Sequence, residues 1–222
     1  MSVTDPFSSE KVGESSDSDC FSIDGKLVFT SFSNQYFDKN VENEYTPAAY
    51  SWPSNMSKEH QEELKSELQR LITLLGMKTS IYNVETRECT DGKAYIMEVS
   101  PRGGGNRLSE MLELWTGVDL IKMAVKASIG EEIMMPEIKQ NGYISEVILH
   151  SSKNGVFDSV ILDDSLKNNV VELNVAVNNG DMVENFSGAN KMIGTLVLKF
   201  DSIEKQNNVM KNIEKFVKIV VK

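Results

Sequence analysis

Residues 79–106 read TSIYNVETRECTDGKAYIMEVSPRGGGN. Two strand-like runs flank Asp91-Gly92, a dipeptide that favours a two-residue type I′ hairpin loop. With that loop Thr90 faces Lys93, and counting back Arg87 faces Ile96, Glu85 faces Glu98 and Asn83 faces Ser100. Residues directly opposite in an antiparallel pair share one face of the sheet, with Cβ atoms about 4.5–5.5 Å apart. Like charges so placed weaken the sheet, and more so when water is excluded. They persist where one carboxyl is protonated, where a cation lies between them, or where both are solvated on a surface hairpin. Two carboxylates at this separation suit Mg²⁺, which takes few protein oxygens and completes its octahedron with water and substrate phosphate.

Directly after Glu98 come Val99, Ser100, Pro101, Arg102, Gly103, Gly104, Gly105 and Asn106, and then a helical pattern. Glycines let backbone amides approach an anion, a helix start adds partial positive charge, and Arg102 offers a rigid five-donor fork. A Gly-rich connector would look the same. Beside a carboxylate pair, however, the spacing places a metal on the strands and an anion at the loop. Asn106 stands where the N-cap of the next helix is expected. Residues 106–127 predict two helices joined at Thr116-Gly117.

Upstream, Ser57 is an N-cap candidate, Glu59, Glu62 and Glu63 suit the positive helix end, and Gly76 is a stop. Between them Leu64, Leu68, Leu71, Ile72 and Leu75 form one apolar stripe at helical spacing, hence core. His60 falls on a solvent-facing position of this helix and is expected to be inert. Residues 20–37 alternate around Asp24-Gly25 and predict a first hairpin. Residues 38–56, with Pro47 and Pro53, read as a connector, and the acidic run near 14–19 as a solvated stretch. Residues 142–200 alternate strand-like runs with Asn/Gly/Asp turns. A closing amphipathic helix over about 202–219 is expected to turn Ile203, Val209, Ile213, Phe216 and Val217 inward. His150 reads as a surface residue at a strand end, and Trp52 and Trp115 as packing residues. The fold class is α+β, with antiparallel sheets and packed helices.

Composition limits the function classes. The 222 residues are 40% hydrophobic and 25% charged, as in globular chains. A formal net charge of −10 argues against docking on nucleic acid or an anionic membrane. No apolar run approaches the roughly 20 residues that span a bilayer. The first thirty residues lack a secretory h-region. Cys20 and Cys89 form neither a disulfide framework nor a zinc spacing. The expected location is the reducing cytoplasm.

Glu85, the DGK turn, YIMEVSPRGGGN and the following TGVDLIKMAVKASIGE resemble the C-terminal half of an ATP-grasp carboxylate–amine ligase domain, of the amino-acid-ligase and carbamoyl-phosphate-synthase-like kind. Residues 1–19, rich in Ser, Asp and Glu and without a periodic apolar pattern, read as a flexible lead-in. The resemblance implies 20–132 as a partial ATP-grasp domain and 133–222 as a small C-terminal α+β domain. It implies that Glu85 and Glu98 hold Mg²⁺ (or Mn²⁺) against ATP phosphates. Ser100 stands where many members have an Asn ligand. Arg102 matches the arginine that steadies the phosphates or acyl phosphate, and Met97 stands where an apolar side chain backs adenine. Gly103, Gly104, Gly105 and Asn106 match the loop facing the acceptor. The implied chemistry is phosphorylation of a small-molecule carboxylate by ATP, followed by attack of an amine on the acyl phosphate. A homodimer is compatible with this reading.

The family's N-terminal α/β domain and lysine-bearing phosphate-covering loop have no counterpart before Cys20, so the chain is expected to turn over ATP weakly or not at all by itself. Two further readings stay open. One is a catalytically incomplete ATP-grasp-like binding or assembly module. The other is an unrelated α+β protein whose acidic hairpin binds Ca²⁺ or nothing.

Overall fold

Residues 15–222 are described in a computed structural model of the chain. In chain order the strands are β1 (Ser15–Ile23), β2 (Lys26–Phe29), β3 (Asn34–Phe37), β4 (Pro47–Trp52), β5 (Ser80–Glu88) and β6 (Ala94–Ser100). After these come β7 (Tyr143–Leu149), β8 (Gly155–Leu162), β9 (Val170–Val175), β10 (Met182–Val183), β11 (Gly194–Phe200) and β12 (Val217–Val221). The helices are α1 (Lys58–Leu74), α2 (Leu108–Thr116), α3 (Leu120–Ser128), α4 (Ile203–Met210) and α5 (Ile213–Phe216). Every strand-to-strand ladder described is antiparallel, and the class is α+β.

The chain divides into two compact units. One runs to Asn34 and resumes over Pro53–Gln140; the other takes Gln35–Trp52 and Asn141–Lys222.

The first unit is a four-stranded sheet in the order β2-β1-β5-β6. Asp24 (φ 50°) and Gly25 (φ 80°) make the first hairpin turn, with Ile23 opposite Lys26, as a type I′ loop requires. The Ser57 hydroxyl caps α1 by accepting the His60 N–H at 3.1 Å. Gly76 (φ 63°) ends the helix, and Met77 N–H returns to the Ile72 carbonyl at 3.0 Å, closing a Schellman-type end. Leu64, Leu68 and Ile72 are buried, whereas Leu75 is exposed. Leu68 and Ile72 pack with Cys20, Leu27, Tyr82 and Val84 on one face of the sheet. Each such aliphatic side chain stabilises by about 1.5–3 kcal/mol when fully buried. The alternation of strand side chains leaves Asp17, Asp19, Asn83, Glu85, Glu98 and Ser100 on the opposite face.

In the second unit β3-β4-β7-β11-β9 form one sheet and β10-β8-β12 another. Leu149, Phe157, Leu196, Leu198, Phe200, Val209 and Met210 make their shared core. Trp52 is fully buried here, and Trp115 is buried in the first unit. His150 is not a plain surface residue. Its ring stacks on Phe186 at 4.4 Å between centroids, and Nε2 lies 3.2 Å from Asp38 Oδ2.

Several expectations need correction. Of the acidic lead-in, residues 1–14 lie outside the described residues, but residues 15–19 begin β1. The 38–56 connector contains β4, which pairs with β7. The closing helix breaks at Asn212, and residues 217–221 pair with β8 as a strand. VKIVV is mostly β-branched, which restricts χ1 in a helix and packs well on a pleated surface. Asn106 is not the α2 cap; Arg107 is, and both adopt left-handed φ (51° and 56°).

His60 also departs from expectation. Its Nδ1 lies 2.5 Å from Glu88 Oε1 and its Nε2 3.0 Å from the Gly92 carbonyl oxygen. Both partners accept, so the two bonds coexist only on a doubly protonated ring. The Glu88 bond, then the Gly92 carbonyl and Glu63, raise the His60 pKa above its ordinary 6.5, against a smaller opposing effect of burial. A raised folded value means that this latch is fully present below the ordinary value and is lost as pH rises through the folded one. The melting temperature of wild type should therefore exceed that of His60→Gln near pH 5.5, and the gap should close near pH 9. A gap that does not change with pH would remove the latch.

Candidate active site

The hairpin that carries the two glutamates closes differently from its sequence expectation, yet reaches the same pairing. Cys89 N–H donates to the Lys93 carbonyl at 2.8 Å and Gly92 N–H to the Cys89 carbonyl at 3.0 Å. Thr90, Asp91 and Gly92 (φ 76°) thus form a three-residue loop. Asp91 locks it, accepting from Lys93 N–H at 3.0 Å and from the Tyr95 hydroxyl at 2.7 Å. Thr90 therefore does not face Lys93, and Arg87 faces Tyr95 rather than Ile96. A β-bulge then inserts Met97, shifting the register back by one residue. Beyond it Glu85 pairs with Glu98, Val84 with Val99 and Asn83 with Ser100. Two one-residue departures cancel.

Among the described residues neither Glu85 nor Glu98 makes an ion pair. Ser100 donates its hydroxyl to Glu98 Oε1 at 2.7 Å, joining two of the expected ligands. On the other side of β5, Asp17 is the register partner of Glu85, so Asp17, Glu85 and Glu98 form an acidic row across three strands. Among the described residues no group of three or more His, Cys, Asp and Glu side chains converges on one metal position. A pair of carboxylates facing each other without a basic partner fits a Mg²⁺ ion that keeps most of its shell as water and phosphate oxygen.

The Gly-rich loop follows Ser100. Arg102 is exposed, and its guanidinium donates to the Gly103 carbonyl at 2.9 Å. Gly104 lies against the sheet, where its N–H donates to Asp19 Oδ1 at 2.8 Å. A Cβ on Gly104 would meet Asn83 Nδ2 and Leu108 Cδ1 at 2.6 Å, so no other residue fits without displacement. Gly103 and Gly104 also line a cavity of about 500 Å³ with Ile81, Arg107, Ser109 and Val125. Glu85, Glu98 and Met97 do not line it.

Sequence reasoning missed Asp17 and Asp19. The Asp19 carboxylate is fully buried and accepts from Gly104 N–H, from the Ser109 hydroxyl in α2 and from Asn83 Nδ2 at 3.3 Å. Asp17 Oδ1 accepts from the same Asn83 amide at 2.6 Å. Burial pushes the Asp19 carboxyl above its ordinary range, opposed by the bonds from Ser109, Gly104 and Asn83. Burial, with Glu85 and Asp19 adding to it, raises Asp17 from 3.8 to about 6, against the Asn83 bond and Arg102. The signal in the sequence was the two-residue spacing of the aspartates. It was obscured because Ser and Asp are poor strand formers.

A carboxyl whose folded pKa is raised costs stability once it ionises. That cost grows as pH rises from 3.8 to about 6 and is constant above. Asp17→Asn keeps the acceptor for Asn83 and removes the charge. In denaturant unfolding it should be more stable than wild type near pH 7.5 by about 1–3 kcal/mol, with no advantage near pH 4. A variant less stable than wild type near neutrality would contradict this account.

No protein-family model matches the sequence. Uncharacterized protein y4rH of Sinorhizobium fredii (strain NBRC 101917 / NGR234) is 27% identical over 110 residues, covering 50% of this chain and 23% of that protein. Phosphoribosylglycinamide synthetase from Anaerococcus prevotii superposes with a TM-score of 0.78 at 20% identity, over 96% of this chain and 55% of its own. L-amino acid ligase from Bacillus licheniformis does so at 0.79 and 17%, over 96% and 53%. The biotin carboxylase domain of Hydrogenobacter thermophilus 2-oxoglutarate carboxylase, solved with magnesium ADP and bicarbonate, gives 0.66 at 16%, over 95% and 47%. This chain spans about half the length of these enzymes. The chain has the fold of the corresponding part of these ATP-grasp structures.

Proposed function

We propose that this chain carries the metal-binding floor of a cytoplasmic ATP-grasp ligase, which uses Mg-ATP to activate a small-molecule carboxylate as its acyl phosphate for attack by an amine. The observation that carries the proposal is the Glu85–Glu98 register pair, with no ion-pair partner for either among the described residues. Like charges set face to face cost stability, and a divalent ion between them offsets that cost.

In this reading Glu85 and Glu98 hold Mg²⁺ or Mn²⁺, with Ser100 steadying Glu98 through its hydroxyl. The metal supplies neutralisation of phosphate charge during transfer. Exposed Arg102 is placed by its bond to the Gly103 carbonyl one step from the metal strands, where its fork suits phosphate oxygens. Met97 offers an apolar surface to adenine from the bulge. Gly103, Gly104, Gly105 and Asn106 face the acceptor. Chemistry of this kind depends on positioning and charge neutralisation, so none of these residues needs to act as a general base.

Titration of the chain with ADP by calorimetry, with Mg²⁺ and with a chelator in its place, tests the proposal. Binding should require Mg²⁺, and Glu98→Gln should weaken it at least about tenfold, roughly 1.4 kcal/mol. Absence of binding by the wild type, or binding indifferent to Mg²⁺, would leave the fold without the activity.

A further inference from the structure

Gly104 spends its N–H inward, on a buried carboxylate. The same carboxylate takes the Ser109 hydroxyl from the first turn of α2 and the Asn83 amide from β5. One side chain on β1 thereby ties together the loop, the helix behind it and the strand beneath it. Among the described residues the N–H groups of Gly103 and Gly105, on either side, donate to no protein acceptor. The chain then passes through two consecutive left-handed residues, Asn106 and Arg107, before α2 begins. Left-handed φ on non-glycine residues costs energy and persists only where surrounding contacts hold it. The Asp19 anchor on one side and the Arg107–Glu110 pair at 2.6 Å on the other supply such contacts.

We infer that Asp19 is a positioning residue: it consumes the Gly104 amide and so presents the Gly103 and Gly105 amides, not Gly104, to an anionic group at the loop. The site it serves is the one in the proposed function, and the inference rests on that reading for the identity of the anion. The anchor itself is independent of nucleotide. An anion taken by two separated amides and a neighbouring guanidinium matches a carboxylate or phosphoryl group with two oxygens to share.

Amide hydrogen exchange and NMR titration of the whole chain with inorganic phosphate test the inference on wild type, Asp19→Asn and Asp19→Ala. The Asn oxygen still accepts from Gly104 and its amino group still meets the Ser109 hydroxyl, so Asp19→Asn should keep Gly104 exchange within about threefold of wild type. Asp19→Ala should raise Gly104 exchange at least about tenfold while Tyr82 and Val84 stay protected. If Asp19→Ala does not fold, Ser109→Ala removes a single arm and should give an intermediate increase. Phosphate should shift the Gly103 and Gly105 amide resonances in wild type and Asp19→Asn, and bind about tenfold more weakly in Asp19→Ala. Unchanged Gly104 exchange in Asp19→Ala, a phosphate response centred on Gly104, or no phosphate response in wild type would each overturn the inference. Failure of Mg²⁺-dependent ADP binding with the phosphate response intact would sink the proposed function alone.

Discussion

The register of β5 against β6 is the constraint on which the rest of the site depends. It sets Glu85 beside Glu98 and Asn83 beside Ser100 on one face, while Val84 and Val99 turn together toward the α1 side. A one-residue slip would exchange these faces, burying glutamate against Leu68 and Ile72. The sheet is therefore held in register by the hydrophobic side, and the acidic side follows. The bulge at Met97 lets a three-residue turn coexist with that register.

The polar face is costly in a second way. Asp17 and Asp19 lie two residues apart on β1, Asp19 fully buried opposite Asn83, and the single Asn83 amide group bridges both. Burying carboxylates is unfavourable unless donors compensate. Here the donors come from the Gly-rich loop, from α2 and from β5. The cost of burial is thus converted into a link between segments far apart in sequence. The loop's shape is consequently a property of β1 as much as of its own glycines.

The second unit shows the ordinary counterpart. Its sheets are held by apolar packing around Phe200, Leu196 and Phe157, and its last strand closes on β8. Gln206, fully buried in α4, donates to the Trp52 and Ile144 carbonyls. A polar side chain thereby ties α4 to β4 and β7.

What the sequence determined by itself was local. The Asp24-Gly25 turn, the Ser57 cap, the Gly76 stop and the split at Thr116-Gly117 all follow from turn chemistry, capping and periodicity within about twenty residues. Tertiary structure decided whatever depended on a distant partner. Residues 15–19 join β1 because β5 supplies their ladder, despite side chains that favour solvent. Residues 217–221 become a strand because β8 offers an edge. Two one-residue shifts cancel in the glutamate hairpin because the core under α1 tolerates only one register. Local propensities differ by fractions of a kcal/mol per residue, whereas a buried face or a completed ladder contributes several, so the distant contact prevails wherever the two disagree.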